Sequence, residues 1–464
     1  MKAALSAKAA IALICLWPGF DPHIHAADGA ESSANTLQPI DLAATLRLAG
    51  ANNLDVQLAR ERLAEAKANH ESTVWQFFPW LGPGLSYRRH ENFIQDVAGN
   101  IIDVHKDSYS VGPALTAQLD LGDAIYKNLA SRQLVKAADY GLQVQTQESI
   151  LAAAQGYFDL LKTQSAVDVA NDSVRISTNY FRELQRAVEA GIAFKGDLLR
   201  VQVQTEKNRL ALRQAQEQQR IAAARLAQTL HLDPAVELVP AESELLPLEL
   251  ISTNAALDSL VAQAVSLRPE LQQNRALVQA AERARQGAAY GPLIPTLGAQ
   301  VFAGGLGGGR DDGSHRFGES EDYAVTLGWR IGPGGLFDRS RIHATESRLK
   351  INELTAQKLL DEITRQVVEG RARVKSQADQ LSISTRAIQA AEETLRLSRE
   401  RKELAVGAVL ETVQAEQELT RARLDYLSAI TEYNKAQYGL KHAIGDLVPL
   451  PAPKSASNGS PGSQ

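Results

Sequence analysis

Cysteine is almost missing from this chain: 464 residues hold a single one, Cys15. That excludes a disulfide framework and any metal site built on cysteine pairs. An excess of basic residues is missing too, with Lys and Arg numbering 49 against 54 Asp and Glu, and no basic block stands out. Nucleic acid is therefore not an expected partner. Aromatic residues make up only 5%, which speaks against a thick globular core and for helices meeting along narrow seams. There is no His-Glu-x-x-His, no Gly-x-Ser-x-Gly and no phosphate-binding glycine loop. His90, His105 and His315 fall in stretches expected to be loops, but their spacing makes no ligand set. No catalytic residue, cofactor or metal is expected.

Long apolar runs are lacking as well. The N-terminal segment 1–26 reads as an export signal, with Lys2 and Lys8 ahead of a short apolar core, Ala9 to Trp17. Ile24-His25-Ala26 or Ala27-Asp28-Gly29 supplies the cleavage site. Cys15 lies inside this segment, and Ala12 and Ile14 before it fit lipoprotein processing poorly. After it, no stretch approaches the ~20 apolar residues that a membrane-crossing helix needs. A membrane-spanning reading must rely on strands.

What the chain does contain is a duplication. Glu148, Gly156, Asp197 and Leu226 recur as Glu362, Gly370, Glu411 and Leu440, each displaced by 214 positions. The reading divides the chain into a first repeat, 37–232, an inter-repeat linker, 233–254, a second repeat, 255–447, and a Ser/Gly-rich tail, 448–464, expected to be disordered.

Each repeat carries two runs of period-two alternation. Val111, Pro113, Leu115, Ala117 and Leu119 alternate with Ser110, Gly112, Ala114, Thr116 and Gln118. Tyr323, Val325, Leu327, Trp329 and Ile331 alternate with smaller or polar residues. Trp75, Phe77, Leu81, Leu85 and Tyr87 form one face of an earlier run, and Leu297, Ala299, Val301 and Ala303 of a later one. Such alternation gives a sheet with one apolar and one polar face, in a soluble protein or a barrel. Stretches 88–107 and 304–321 read as long polar loops joining each pair. Four strands cannot close a barrel, and an open sheet in lipid leaves edge amides unpaired. A membrane reading thus demands several copies.

Between the strand pairs proline disappears. From Ala124 to Val188 the only glycines are Gly141 and Gly156, and from Ile342 to Val406 only Gly370. Each stretch would reach roughly 90–100 Å as a helix. Turns at 189–197 and 405–411 fold each back on itself, with Gly191 and Gly407 as helix stops and Asp197 as the next helix's cap. The charged faces of these helices read most simply as solvated surface.

In this order and spacing the chain resembles the TolC-like outer-membrane efflux proteins from about Leu37 to Leu447. The matching pieces are the Pro-x-Leu-Gly segments at Pro79 and Pro295, the junctions Leu119 to Gly122 and Trp329 to Gly332, the tip Gly191 to Asp197, and the closing Ala436 to Leu447. The resemblance implies a mixed α+β membrane protein: a homotrimer whose 12-stranded barrel, four strands per chain, continues into a coiled-coil tunnel. It implies an outer-membrane location, with the helices in the periplasm, and partnership with a periplasmic adaptor and an inner-membrane transporter. The chain would be the passive duct of a tripartite efflux or type I secretion system. Relatives narrow the periplasmic end with acidic residues near the second tip. Here Glu411 takes that place, Gln414 stands three further on where relatives are often acidic, and no basic residue lies between Gly407 and Glu411. Glu411 reads equally as a first-turn acid favoured by the helix dipole. Gly191, Asp197 and Gly407 are the expected adaptor contacts, and Asp120 and Arg330 the expected pore-lining charges. A periplasmic coiled-coil adaptor is the main alternative, and it would need no lipid-facing alternation.

Overall fold

The computed structural model describes residues 37–78, 80–233, 236–242, 244–310, 315–403 and 409–447. The signal segment, Pro79, Gly407 and the tail lie outside them. In chain order the elements are β1 (Leu37–Ile40), α1 (Leu42–Asn52), α2 (Leu54–Trp75), β2 (Trp80–His90), β3 (Phe93–Gln95), β4 (Ile101–Asp103), β5 (Lys106–Leu119), α3 (Leu121–Glu189), α4 (Lys195–Leu230), β6 (Glu237–Pro240), α5 (Leu257–Leu267), α6 (Pro269–Tyr290), β7 (Thr296–Arg310), β8 (His315–Gly328), α7 (Arg339–Glu403) and α8 (Val409–Ala443).

Two long antiparallel hairpins, α3 with α4 and α7 with α8, make up about half of the described residues. The 69 residues of α3 and 65 of α7 give lengths of ~100 Å each. The absence of proline permits this length, and apolar residues at three- and four-residue spacing seal the seams. Ile150, Tyr157, Leu160 and Leu161 of α3 pack on Leu226 and Leu230 of α4, with Ile430 and Tyr438 of α8 in the same cluster. A second cluster joins Leu260, Leu271, Ile363, Val367, Tyr433, Leu440 and Ile444. The duplicated glycine and leucine meet in both copies. A Cβ added at Gly156 would stand 3.3 Å from Leu226 Cδ1, and one at Gly370 would stand 3.3 Å from Leu440 Cδ1. The repeat spacing therefore preserves a point where two helix backbones come close.

The strands form one antiparallel sheet in the order β2-β5-β7-β8, so the two repeats contribute adjacent pairs. Several sequence expectations change here. Trp75 ends α2 and Phe77 lies in the following turn, so neither belongs to a strand. β8 stops at Gly328, which leaves Trp329 outside it, its indole N–H donating to Leu293 O at 3.2 Å. The expected loop at 304–321 is largely strand: β7 runs through the glycines to Arg310, and β8 resumes at His315. Aromatic side chains supply what those glycines lack. A Cβ on Gly307 would clash with the Tyr109 ring at 2.4 Å, and one on Gly305 with Phe317 at 2.1 Å. The two rings stack with centroids 6.0 Å apart. In the first repeat the connection does form a loop, containing a small hairpin of β3 and β4.

The linker is structured where it meets the helices. β6 pairs in parallel with β1. Two buried amides of α8 hold the next segment: Asn434 Oδ1 accepts from Leu248 N at 2.8 Å, and Gln437 Oε1 accepts from Ile251 N at 2.9 Å.

The close glycine–leucine contact gives a stability prediction. Gly370→Val forces branched volume against Leu440 and should destabilise the protein by about 1–3 kcal/mol. Gly156→Val should do the same against Leu226. Thermal unfolding of the detergent-solubilised protein reads both, and unchanged midpoints would mean the seams have slack.

Candidate functional site

Cross-strand partners share a face, so the register divides the sheet's side chains. One face carries Leu85, Tyr87, Val111, Phe317, Tyr323, Val325 and Leu327. All are exposed, Val325 at 77%. The other carries Ser86, Ser108, Ser110, Thr116, Gln118, Gln300, Asp322 and Thr326, interrupted by Phe302 and Leu306. Thr116, Gln118, Gln300 and Thr326 line a shallow depression on this polar face. Among the described residues β2 and β8 each pair with one neighbour only, so both sheet edges present backbone groups without strand partners.

Asp120 lies at the foot of β5 and caps α3, its carboxylate accepting from Asp123 N at 3.5 Å. Arg330 sits in the turn after β8, exposed, and its carbonyl accepts from Leu336 N. Both expected pore-lining charges therefore stand at strand-to-helix junctions rather than within strands. Asp338 closes the second junction by accepting from Gly334 N and Arg341 N, and these donors hold its carboxyl below the usual range. Arg341 then reaches Asp123 at 2.7 Å, tying the start of α7 to the start of α3.

At the far end of the hairpins, Gly191 has φ +73° and stops α3, with Ile192 N donating to Ala187 O. Asp197 does not cap α4; Phe194 is the N-cap residue. The reason is that α4 starts one turn early at Lys195, which places Asp197 in its first turn, paired with Arg200 at 3.2 Å. In the second hairpin Glu411 occupies the first turn of α8. Its carboxylate meets Arg401 Nη1 from α7 at 2.7 Å. This latch escaped the sequence reading because the cation lies before the turn, not inside it. Gln414 is exposed one turn further on, and Gly407 lies outside the described residues. Behind the latch, Ser398 Oγ and Thr412 Oγ1 are buried and 3.1 Å apart, and Arg399 lies 3.4 Å from Glu416. The two hairpins touch here: Val413 packs on Tyr180, Leu184 and Val201, and Ser173 meets Thr420 at 3.1 Å. Burial, with Glu416 and Asp197 nearby, pushes the Tyr180 phenol up to about 12.

Midway along the molecule lies a buried charge that the sequence gave no reason to single out. Arg268, with its side chain 5% exposed, forms a two-point pair with Glu270 at 2.9 and 2.6 Å. Its remaining amine donates to Gln366 Oε1 and to Ala443 O, the last residue of α8. Glu148 is raised by burial and by the Glu270 charge. His442 is lowered by burial and by Arg268, and its Nε2 is enclosed without a hydrogen-bond partner.

His105 lies near Glu91 and Asp103, and His315 near Asp107. Among the described residues no group of three or more His, Cys, Asp or Glu is placed to hold a metal ion. No described helix is long and apolar enough to cross a membrane.

A family profile described as "Outer membrane efflux protein" matches residues 45–230 and 260–446. Protein CyaE of Bordetella pertussis is 27% identical over 334 residues. That match spans 68% of this chain and 66% of the relative, just under two thirds of its length. Among solved structures, the CmeC outer membrane channel of Campylobacter jejuni superposes with a TM-score of 0.72 at 16% identity, covering 87% of this chain and 85% of that one. The open state of the Neisseria gonorrhoeae MtrE outer membrane channel gives 0.70 at 17% identity, covering 88% and 89%. At these identities the likeness is one of fold.

The His442 environment sets a pH dependence. Its folded-state pKa lies below the ordinary 6.5, so its contribution is intact above 6.5 and is lost as pH falls through the depressed value. His442→Gln should flatten the fall in thermal midpoint below about pH 6.5. Parallel curves for the two proteins would show that His442 titrates freely.

Proposed function

The chain belongs to the outer membrane efflux protein family, and on that premise we propose that it is an outer-membrane exit duct that closes only as a homotrimer. The carrying observation is the four-stranded sheet with two open edges and an exposed apolar face. In hydrocarbon each unpaired edge amide costs several kcal/mol. Three copies of the sheet, joined β8 to β2, give a twelve-stranded barrel with no edge left. The apolar face then meets lipid and the polar face lines the lumen. The two repeat units, 37–232 and 255–447, would each supply one hairpin to a periplasmic tunnel, with 233–254 at its belt.

The duct has no energy source of its own in this reading. An inner-membrane transporter would drive the cargo, and a periplasmic adaptor would engage the tips around Gly191, Asp197 and Gly407. Glu411 and Gln414 would lie at the tunnel's narrow end, with the Arg401 pair holding α7 and α8 together there. Asp120 and Arg330 would sit at the junction of barrel and tunnel. The solvent-facing Arg401–Glu411 pair contributes about 0.2–1 kcal/mol. It is suited to a contact that must open.

Two measurements test the reading. Light scattering of the detergent-purified protein should give three copies, and a monomer soluble without detergent would end the proposal. In planar bilayers Glu411→Ala should raise single-channel conductance and lower cation preference. Unchanged current and selectivity would remove Glu411 from the gate while leaving the duct intact.

A further inference from the structure

The outer end of the sheet separates charge by face. One cross-sheet row runs Arg88, Ser108, Gly308, Arg316, and the next pairs His90 with Lys106. These residues lie on the polar face. Arg88, Lys106 and Arg316 are exposed, and none makes an ion pair with a described residue. Only Ser108 and Gly308 stand between the two arginines in that row. Among the described strands the one acid placed on this face is Asp322, six positions along β8 from Arg316, or ~20 Å away.

The acids of the same region belong to the opposite face or are engaged. Asp107 accepts from Gly309 N at 3.1 Å, and Glu321 accepts from Tyr323 Oη at 3.0 Å. In the first loop Glu91 takes Arg89 and His105, and Asp96 takes Asn100 N. Asp311 and Asp312, between β7 and β8 in the sequence, lie outside the described residues. Arg88, Lys106 and Arg316 on one face and Asp107, Glu319 and Glu321 on the other separate charge across the outer end of the sheet.

We infer that the outer end of the polar face is an anion-attracting mouth, with Arg88, Lys106 and Arg316 as its selectivity determinants. The inference rests on the closed-barrel reading, in which β8 of one copy meets β2 of the next. Threefold repetition around that junction sets three copies each of Arg88, Lys106 and Arg316 about the outer end of the lumen, which concentrates positive potential where it opens. Multiply charged anions are the ligands such a ring would favour. Its influence falls off within about 10 Å at 0.1 M salt.

The test uses the full-length trimer in planar bilayers, with sodium tripolyphosphate added to each side in turn. Addition to one side should reduce the current, with the half-blocking concentration rising several-fold in 1 M KCl. Arg88→Gln combined with Arg316→Gln should raise it at least tenfold. Arg89→Gln, on the opposite face, serves as the control and should change it less than twofold. No block from either side, or equal block in the double variant, overturns the anion-attracting mouth while leaving the duct standing. A protein that forms no conducting pore at all would instead bring down the duct on which this inference rests.

Discussion

Backbone hydrogen bonding at the two edges of one small sheet governs much of this molecule. Strands β2 and β8 each have one satisfied side, and the sheet presents an apolar face that water does not favour. A soluble protein would cover that face with a helix, or blunt the edges with charge. Here the long helices leave the sheet from one end and cover neither face. The edge requirement, the bare apolar face and the direction of the helices are the observations on which the proposed trimer rests.

The duplication explains how one chain meets two demands with one plan. In the first repeat Asn53, at the junction of α1 and α2, donates to Thr229 O in the last turn of α4. In the second, Arg268 at the junction of α5 and α6 donates to Ala443 O at the end of α8. The contact is kept while its chemistry has diverged, from a neutral amide to a buried guanidinium paired with Glu270. Removing one partner from such a buried pair is expected to be destabilising by about 3–5 kcal/mol. The second repeat thus carries a more demanding joint than the first.

Periodicity made the long helices and their seams legible in the sequence, because a repeated spacing of 3.6 or 2 survives without tertiary information. The glycine–leucine pairs showed there only as repeated positions, not as contacts. Strand extent did not survive. Gly304 to Gly309 has the composition of a loop, yet it pairs with β5 on one side and β8 on the other, and the Tyr109 and Phe317 rings fill side-chain space beside Gly307 and Gly305. Asp197 looked like a cap because helix starts are read from residue type, yet backbone geometry gave the position to Phe194. Arg401 and Arg268 were invisible for a shared reason. A single arginine among polar neighbours reads as solvated. Arg401 finds its acid across a turn, and Arg268, though paired with Glu270 two positions on, is buried by contacts to Gln366 of α7 and Ala443 of α8. A two-residue signal was available for the linker clasp: Asn434 and Gln437 are amides on an otherwise apolar face of α8.

The unbroken run of α3 also has an architectural consequence. With a fixed rise per residue and no proline to bend it, the helix behaves as a measuring rod for the gap it crosses. Shortening the lower half of α3 by two turns would draw the tip back by ~10 Å. It would also slide every later residue of α3 past its partner on α4. Any natural change in span must therefore come as matched insertions or deletions in both arms of both hairpins, in whole-turn steps that keep the seams in phase.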